Sequence, residues 1–142
     1  MSDNYDLLEE LCIVGEANWG QAIFRVCAAL PRDVCEWVVN NITFIDAYGT
    51  TGLAVSVSCF KSKDNPFMAD RLVIVLSTPS PEDDNDDRMA FTVAHEIGHH
   101  WHGHREAHSY STYEEHEKAA DAKANEWGFP GESNRINRGW CD

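Results

Sequence analysis

The sequence predicts an α+β fold, and three patterns predict it. Apolar residues recur at helical spacing toward both ends of the chain, strand-like apolar runs fill the middle, and Gly, Pro and polar clusters separate them. The expected order is an N-terminal helical part over 1–41 and a small, mostly antiparallel sheet of about three strands over 42–77. A helix over 80–103, a second over 113–127 and a polar tail over 128–142 follow. At 142 residues with 43% hydrophobic content, the chain reads as one domain, 1–142, able to bury a core without disulfides.

Each element has its own signal. Ile23, Val26, Cys27 and Leu30 recur at helical spacing within about 18–30. Pro31 suits the first turn of a second helix carrying Val34, Trp37 and Val38. Ile42 to Ala47 reads as a strand, with a turn over 48–52. Leu53, Val55, Val57 and Cys59 alternate with small or polar residues, the period of a half-buried strand. A polar loop over 61–70 precedes Leu72–Leu76, a continuous apolar run that fits a buried strand. Ser80 can cap the next helix and Pro81 fits its first turn. The acids through Asp87 favour the positive end of its dipole, and Gly103 is a natural stop. Those acids lack the spacing and central glycine of a calcium loop, so they read as a solvated helix start. The last helix ends at Gly128-Phe129-Pro130-Gly131.

Composition excludes several function classes. With 24 acidic against 11 basic residues the formal charge is −13, which argues against direct nucleic-acid binding or an anionic membrane surface. No stretch is long and apolar enough to span a bilayer, and the acidic start lacks the features of a secretory leader, so a cytoplasmic location is expected. The five cysteines are scattered without a C-x-x-C pair, which reads as reduced, mostly buried thiols.

All seven histidines lie between His95 and His116, a concentration that a metal site explains and a purely structural role does not. His95-Glu96-Ile97-Gly98-His99 is H-E-x-x-H in mid-helix. Residues four apart share a helix face, so both imidazoles can grip one ion. Glu96 lies to the side, where a carboxylate can take a proton from metal-bound water and pass it to the leaving amine. Ala90, Val93, Ala94, Ile97 and Trp101 form the apolar stripe of the same helix, placing core behind the motif.

Zinc needs a third protein ligand and an open position. In the last helix Tyr113, Ala120, Ala124 and Trp127 form a buried-type stripe, and Glu117 fills a slot of it. A carboxylate at an apolar position is costly unless something pairs with it, which makes Glu117 the first candidate. Asp121, one turn on, is a candidate to orient a ligand imidazole, and an alternative ligand. His104, His102, His108 and His116 compete for the third place, and Cys141 is a further thiolate candidate. Ten positions after His95, where a metzincin carries its third histidine, this chain has Arg105. Tyr110, His108 and Tyr113 are candidates to stabilise an oxyanion. The backbone of 71–77 is a candidate to pair with an extended substrate if that strand lies at an edge.

The run Arg88-Met89-Ala90-Phe91-Thr92-Val93-Ala94-His95-Glu96-Ile97-Gly98-His99 resembles the active-site helix of ImmA/IrrE-type metallopeptidases. Glu117-Lys118-Ala119-Ala120-Asp121, with Ala124 beyond, resembles the stretch that supplies the third ligand of gluzincins. The resemblance spans roughly 53–129 and implies a small zincin-like domain with one Zn²⁺ on His95, His99 and Glu117. It further implies Glu96 as general base, Asp121 behind a ligand, and a repressor-like regulator among the protein substrates. The functional expectation is a zinc-dependent endopeptidase acting on a protein or peptide substrate. Its alternative is a metal-stabilised, catalytically silent acidic interaction module, or a charge-mimic inhibitor.

Overall fold

The computed structural model describes residues 4–15, 18–47, 55–59, 71–102 and 110–133, with the side chains of 55–59, 71 and 110–113 left aside. Its elements run α1 (Tyr5–Leu8), β1 (Cys12–Gly15), α2 (Gly20–Ala29), α3 (Arg32–Asn41), β2 (Ile42–Ala47), β3 (Val55–Cys59) and β4 (Arg71–Ser77). A short 3-10 turn (Pro81–Asp83), α4 (Asp86–Trp101) and α5 (Tyr110–Glu126) complete them. The expected turn at 48–52, the loop at 61–70, the stop at Gly103 and the chain beyond 133 lie outside the described residues.

The α+β class holds, but the sheet does not have the expected pairing. Four strands are ordered β1-β2-β4-β3, with β1 parallel to β2, β2 parallel to β4, and only β3 antiparallel to its neighbour β4. The mostly antiparallel expectation assumed that strands close in sequence pair as hairpins. Here β4 inserts between β2 and β3. Parallel β1 and β2 need a long crossover, and the helices α2 and α3 supply it. β1 itself corrects the all-helical reading of 1–41: four residues give too short a pattern to announce a strand.

Burial explains the remaining order. β2 buries Ile42, Phe44 and Asp46 while Thr43, Ile45 and Ala47 stay partly exposed, so one face of the sheet carries most of the core. β4 has a neighbour on each side, consistent with its continuous apolar run. It is therefore not the edge that the sequence reading offered to a substrate. Ile23, Val26, Cys27 and Leu30 of the α2 region, Val34, Cys35 and Val38 of α3, and Ala90, Val93, Ala94 and Ile97 of α4 share one core with Ile42, Phe44, Ile74 and Leu76 of the sheet. Cys27 and Cys35 are free buried thiols, and burial pushes the Cys27 thiol up.

Two polar anchors seat α2. Trp19 donates its backbone N–H to Asp46 Oδ2 at 2.7 Å and its indole N–H to the Ser77 carbonyl at 3.2 Å. This ties the start of α2 to the ends of β2 and β4. Asn4 Nδ2 donates to the carbonyls of Cys27 at 2.9 Å and Leu30 at 2.7 Å, satisfying the last turn of the same helix.

Pro31 precedes α3 as its cap, one place earlier than expected. The helix expected from residue 80 starts later: Ser80 caps only the 3-10 turn, and Asn85 Oδ1 accepts Arg88 N–H at 3.0 Å to open α4. α5 begins at Tyr110, absorbing residues expected to be loop. Segment 128–133 is not simply a polar tail, because Phe129 and Ser133 are buried.

Gly15 closes β1 at φ +108°, where an added Cβ would collide with the Asp46 carbonyl oxygen. Gly15→Ala is expected to destabilise the protein by about 1–3 kcal/mol. A lower denaturation midpoint at unchanged slope checks this.

Candidate metal centre

Two helices build the site. α4 turns Ala90, Val93, Ala94 and Ile97 into the core, and this phase buries His95 and Glu96 with half-buried His99 one turn further. Trp101, expected on the apolar stripe, is instead 37% exposed and meets Trp37 edge-on at 5.2 Å. α5 turns Ala120 and Ala124 inward, Trp127 just beyond its end is buried too, and Glu117 is only 2% exposed. Gly98 lets the helices approach: a Cβ there would lie 3.3 Å from the Ala120 carbonyl oxygen and 3.4 Å from Ala120 Cα. Alanine at 98 would ask α5 to give by a few tenths of an ångström, whereas a long side chain there would press α5, and Glu117 with it, away from α4.

Three donor atoms converge across that contact. His95 Nε2 lies 3.1 Å from His99 Nε2 and 3.2 Å from Glu117 Oε2, and His99 Nε2 also meets Glu117 Oε2. Among the described residues, His95, His99 and Glu117 are the one group of three able to hold a metal ion. Behind them, His95 Nδ1 donates to Asp121 Oδ1 at 2.8 Å. This hydrogen bond places a ring proton on Nδ1, so neutral His95 presents a bare lone pair at Nε2.

The donor set fits a divalent cation. Without a cation, two imidazole nitrogens and a carboxylate oxygen crowd together, and a proton on His95 bridges only part of that set. Ligands held tetrahedrally at zinc bond lengths of about 2.0–2.1 Å stand about 3.3 Å apart. The two His95 separations are close to that value. Two imidazoles and one carboxylate are also a donor set that zinc accepts with a position left open.

Charge is compensated throughout. Burial opposes a charged His95, but hydrogen bonds to Asp121 and Glu117 and the nearby Glu96 charge outweigh it, raising the ring to about 9. Burial likewise opposes ionised Glu117, and its contacts with His95 and His99 overcome this and hold its carboxyl well below the usual range. Asp121 is lowered too: burial raises it, while hydrogen bonds with His95 and Ser133 prevail.

These shifts set the expected pH response of the cluster without a metal. The His95 contribution to stability is complete below its ordinary value of 6.5 and fades as pH rises through about 9. The Glu117 contribution is complete above its ordinary 4.5 and fades as pH falls. The stripped cluster is thus expected to stabilise most between pH 4.5 and 6.5. A zinc ion on these donors would compete with protons, so its stabilisation would grow with pH. Melting temperatures of stripped and zinc-loaded protein should therefore diverge as pH rises from 6 to 9, and a constant gap would contradict this assignment.

His95, His99 and Glu117 come together, with Asp121 behind His95 and Glu96 buried beside them. His102 is exposed, and neither it nor half-buried His116 joins the group. His104, His108 and Cys141 lie outside the described residues, and Tyr110 and Tyr113 fall at the start of α5 with side chains left aside. The sequence reading missed Ser133, which donates to Asp121 Oδ2 from both its N–H and its hydroxyl, each at 3.1 Å. No periodicity marks it, because it follows the helix instead of lying on it.

Residues 53–132, just over half of the chain, match the family model of the IrrE N-terminal-like domain, a peptidase family. The matched span contains β3, β4, α4 and α5. No curated protein and no solved structure matches the chain significantly.

Proposed function

Since the chain belongs to the IrrE N-terminal-like peptidase family, we propose that it is a zinc-dependent endopeptidase that cleaves a protein substrate. One observation carries this reading: three Lewis-basic atoms from α4 and α5 meet in a buried site, with Asp121 holding the ring proton of His95 on the far side.

His95, His99 and Glu117 hold the cation. When bound, it supplies Lewis acidity toward water and toward the carbonyl of the scissile peptide. Glu96 is the general base: it takes the proton from water as attack begins and delivers it to the departing amine. Its position next to His95 in sequence places it off the ligand face of α4. Burial of Glu96 at 2% exposure excludes bulk water and strengthens the field around its carboxylate. Asp121 fixes the orientation of His95 and makes its Nε2 a better donor.

The substrate strand adds at β3, which packs against α4 and has β4 as its only described neighbour. Backbone pairing at such an edge holds an extended peptide without demanding particular side chains. Among the described residues no helix is long and apolar enough to cross a membrane. A protein substrate of the repressor-like kind is the partner that the family resemblance favours.

The test is metal content and peptide cleavage measured together on protein prepared without chelators. One zinc per chain is expected, with cleavage of a mixed peptide library lost on chelation and restored by zinc. A chain that neither retains zinc nor binds it on titration overturns the proposal. Zinc held at 100 times its Kd should stabilise by about 2.7 kcal/mol. Chelation should then lower the melting temperature by about 5–10 °C. A zinc-binding chain that cuts no peptide and works unchanged with Glu96 replaced is instead a silent interaction module.

A further inference from the structure

The segment after α5 turns back and is fastened to both ligand-bearing helices. Asn125 Oδ1 accepts the Gly131 N–H at 2.9 Å, and Asn125 Nδ2 donates to the Gly131 carbonyl at 3.2 Å. From α4, Arg88 Nη2 donates to the Glu132 carbonyl at 3.3 Å, with its guanidinium 4.8 Å over the Phe91 ring. Gly131 passes so close to Phe91 that a Cβ would lie 2.7 Å from its Cδ1. These ties deliver Ser133, buried at 8% exposure, to Asp121.

The two oxygens of Asp121 then have separate tasks. Both donors of Ser133 go to Oδ2, and Oδ1 receives His95 Nδ1–H. A carboxylate with one partner can rotate and offer either oxygen; a carboxylate gripped on one oxygen by two donors has its plane set. We infer that Ser133 is a positioning residue of the metal centre: it locks the Asp121 carboxylate so that His95 keeps its proton on Nδ1 and its Nε2 toward the metal. It lies one residue beyond the span matched to the family. The inference rests on the proposed metal reading of the site.

The experiment measures Zn²⁺ affinity by competition with a chromophoric chelator and the visible spectrum of the Co²⁺-loaded protein. Ser133→Ala and Ser133→Gly both keep the backbone donor and delete the hydroxyl, so one can stand in if the other folds poorly. Each is expected to weaken Zn²⁺ binding about tenfold, the lower end of what loss of an outer partner costs, and to shift the Co²⁺ bands. Ser133→Thr, which retains the hydroxyl, should restore both. In an Asp121→Ala background, Ser133→Ala should weaken Zn²⁺ no further, because its route to the metal is already cut. Wild-type affinity and spectrum in the Ala and Gly variants would overturn the inference, as would an undiminished loss in the Asp121→Ala background. A wild-type chain without Zn²⁺ affinity defeats the metal reading itself. A wild type that binds Zn²⁺ no better than Ser133→Ala defeats only the role given to Ser133.

Discussion

Glu96→Gln is expected to bind zinc as the parent protein does and to cleave peptides about 10²–10⁴-fold more slowly. The two halves of that result come from different atoms. On the proposed reading, zinc affinity belongs to His95, His99 and Glu117, the three residues whose donor atoms converge. Cleavage needs a group that accepts a proton from water and releases it to an amine, and an amide does neither. Glutamine matches glutamate in volume, so the packing around this buried position is kept. Removing the nearby negative charge that helps raise His95 has a second, smaller consequence. The ring becomes easier to deprotonate, so zinc uptake below neutral pH should be slightly favoured. Equal cleavage by parent and variant would remove Glu96 from the chemistry and leave the metal without its base. A variant that loses zinc as well would instead make Glu96 part of the structural support.

What the sequence made legible follows from the range of each interaction. His95 and His99 lie four residues apart on one helix, so their meeting is a local consequence of helical pitch. Glu117 was legible for a different reason: it interrupts an apolar stripe that Ala120, Ala124 and Trp127 otherwise complete, and a buried carboxylate requires a partner. That argument named the residue, whereas the close approach of α5 to α4, which leaves little room beyond a Cβ at Gly98, is a tertiary fact. The sheet order was not legible. Strand segments β2, β3 and β4 each had a local pattern, but the insertion of β4 between the other two is decided by packing over long sequence separations. β1 was hidden by its brevity, and its partner β2 lies beyond two helices. Ser133 was hidden for the same kind of reason, because its contact with Asp121 exists only after the chain reverses at 128–131.

Removing Glu117, the proposed third ligand, should have the largest effect on metal binding. Glu117→Gln keeps the volume and most of the packing of Glu117 but replaces its anionic oxygen with a neutral amide. Zinc affinity should fall by more than about 100-fold, beyond what loss of an outer partner costs. Peptide cleavage at limiting zinc should vanish with it. In the stripped protein the same change also costs stability. Desolvation of the Glu117 carboxyl is outweighed by contacts with His95 and His99, which hold it below its usual range, so neutralising it removes a net favourable contribution. Stripped and zinc-loaded melting temperatures should therefore both fall and the gap between them should shrink, and the His95 ring should lose one of the partners that raise it toward 9. The control is Glu115→Gln, an exposed glutamate two residues earlier on α5, which should leave zinc affinity unchanged. Competition with a chromophoric chelator reads all three proteins on one scale. If Glu117→Gln holds zinc as tightly as Glu115→Gln does, then α5 does not contribute a ligand. The convergence of α4 and α5 would then be packing alone, and the peptidase reading would lose the observation on which it stands.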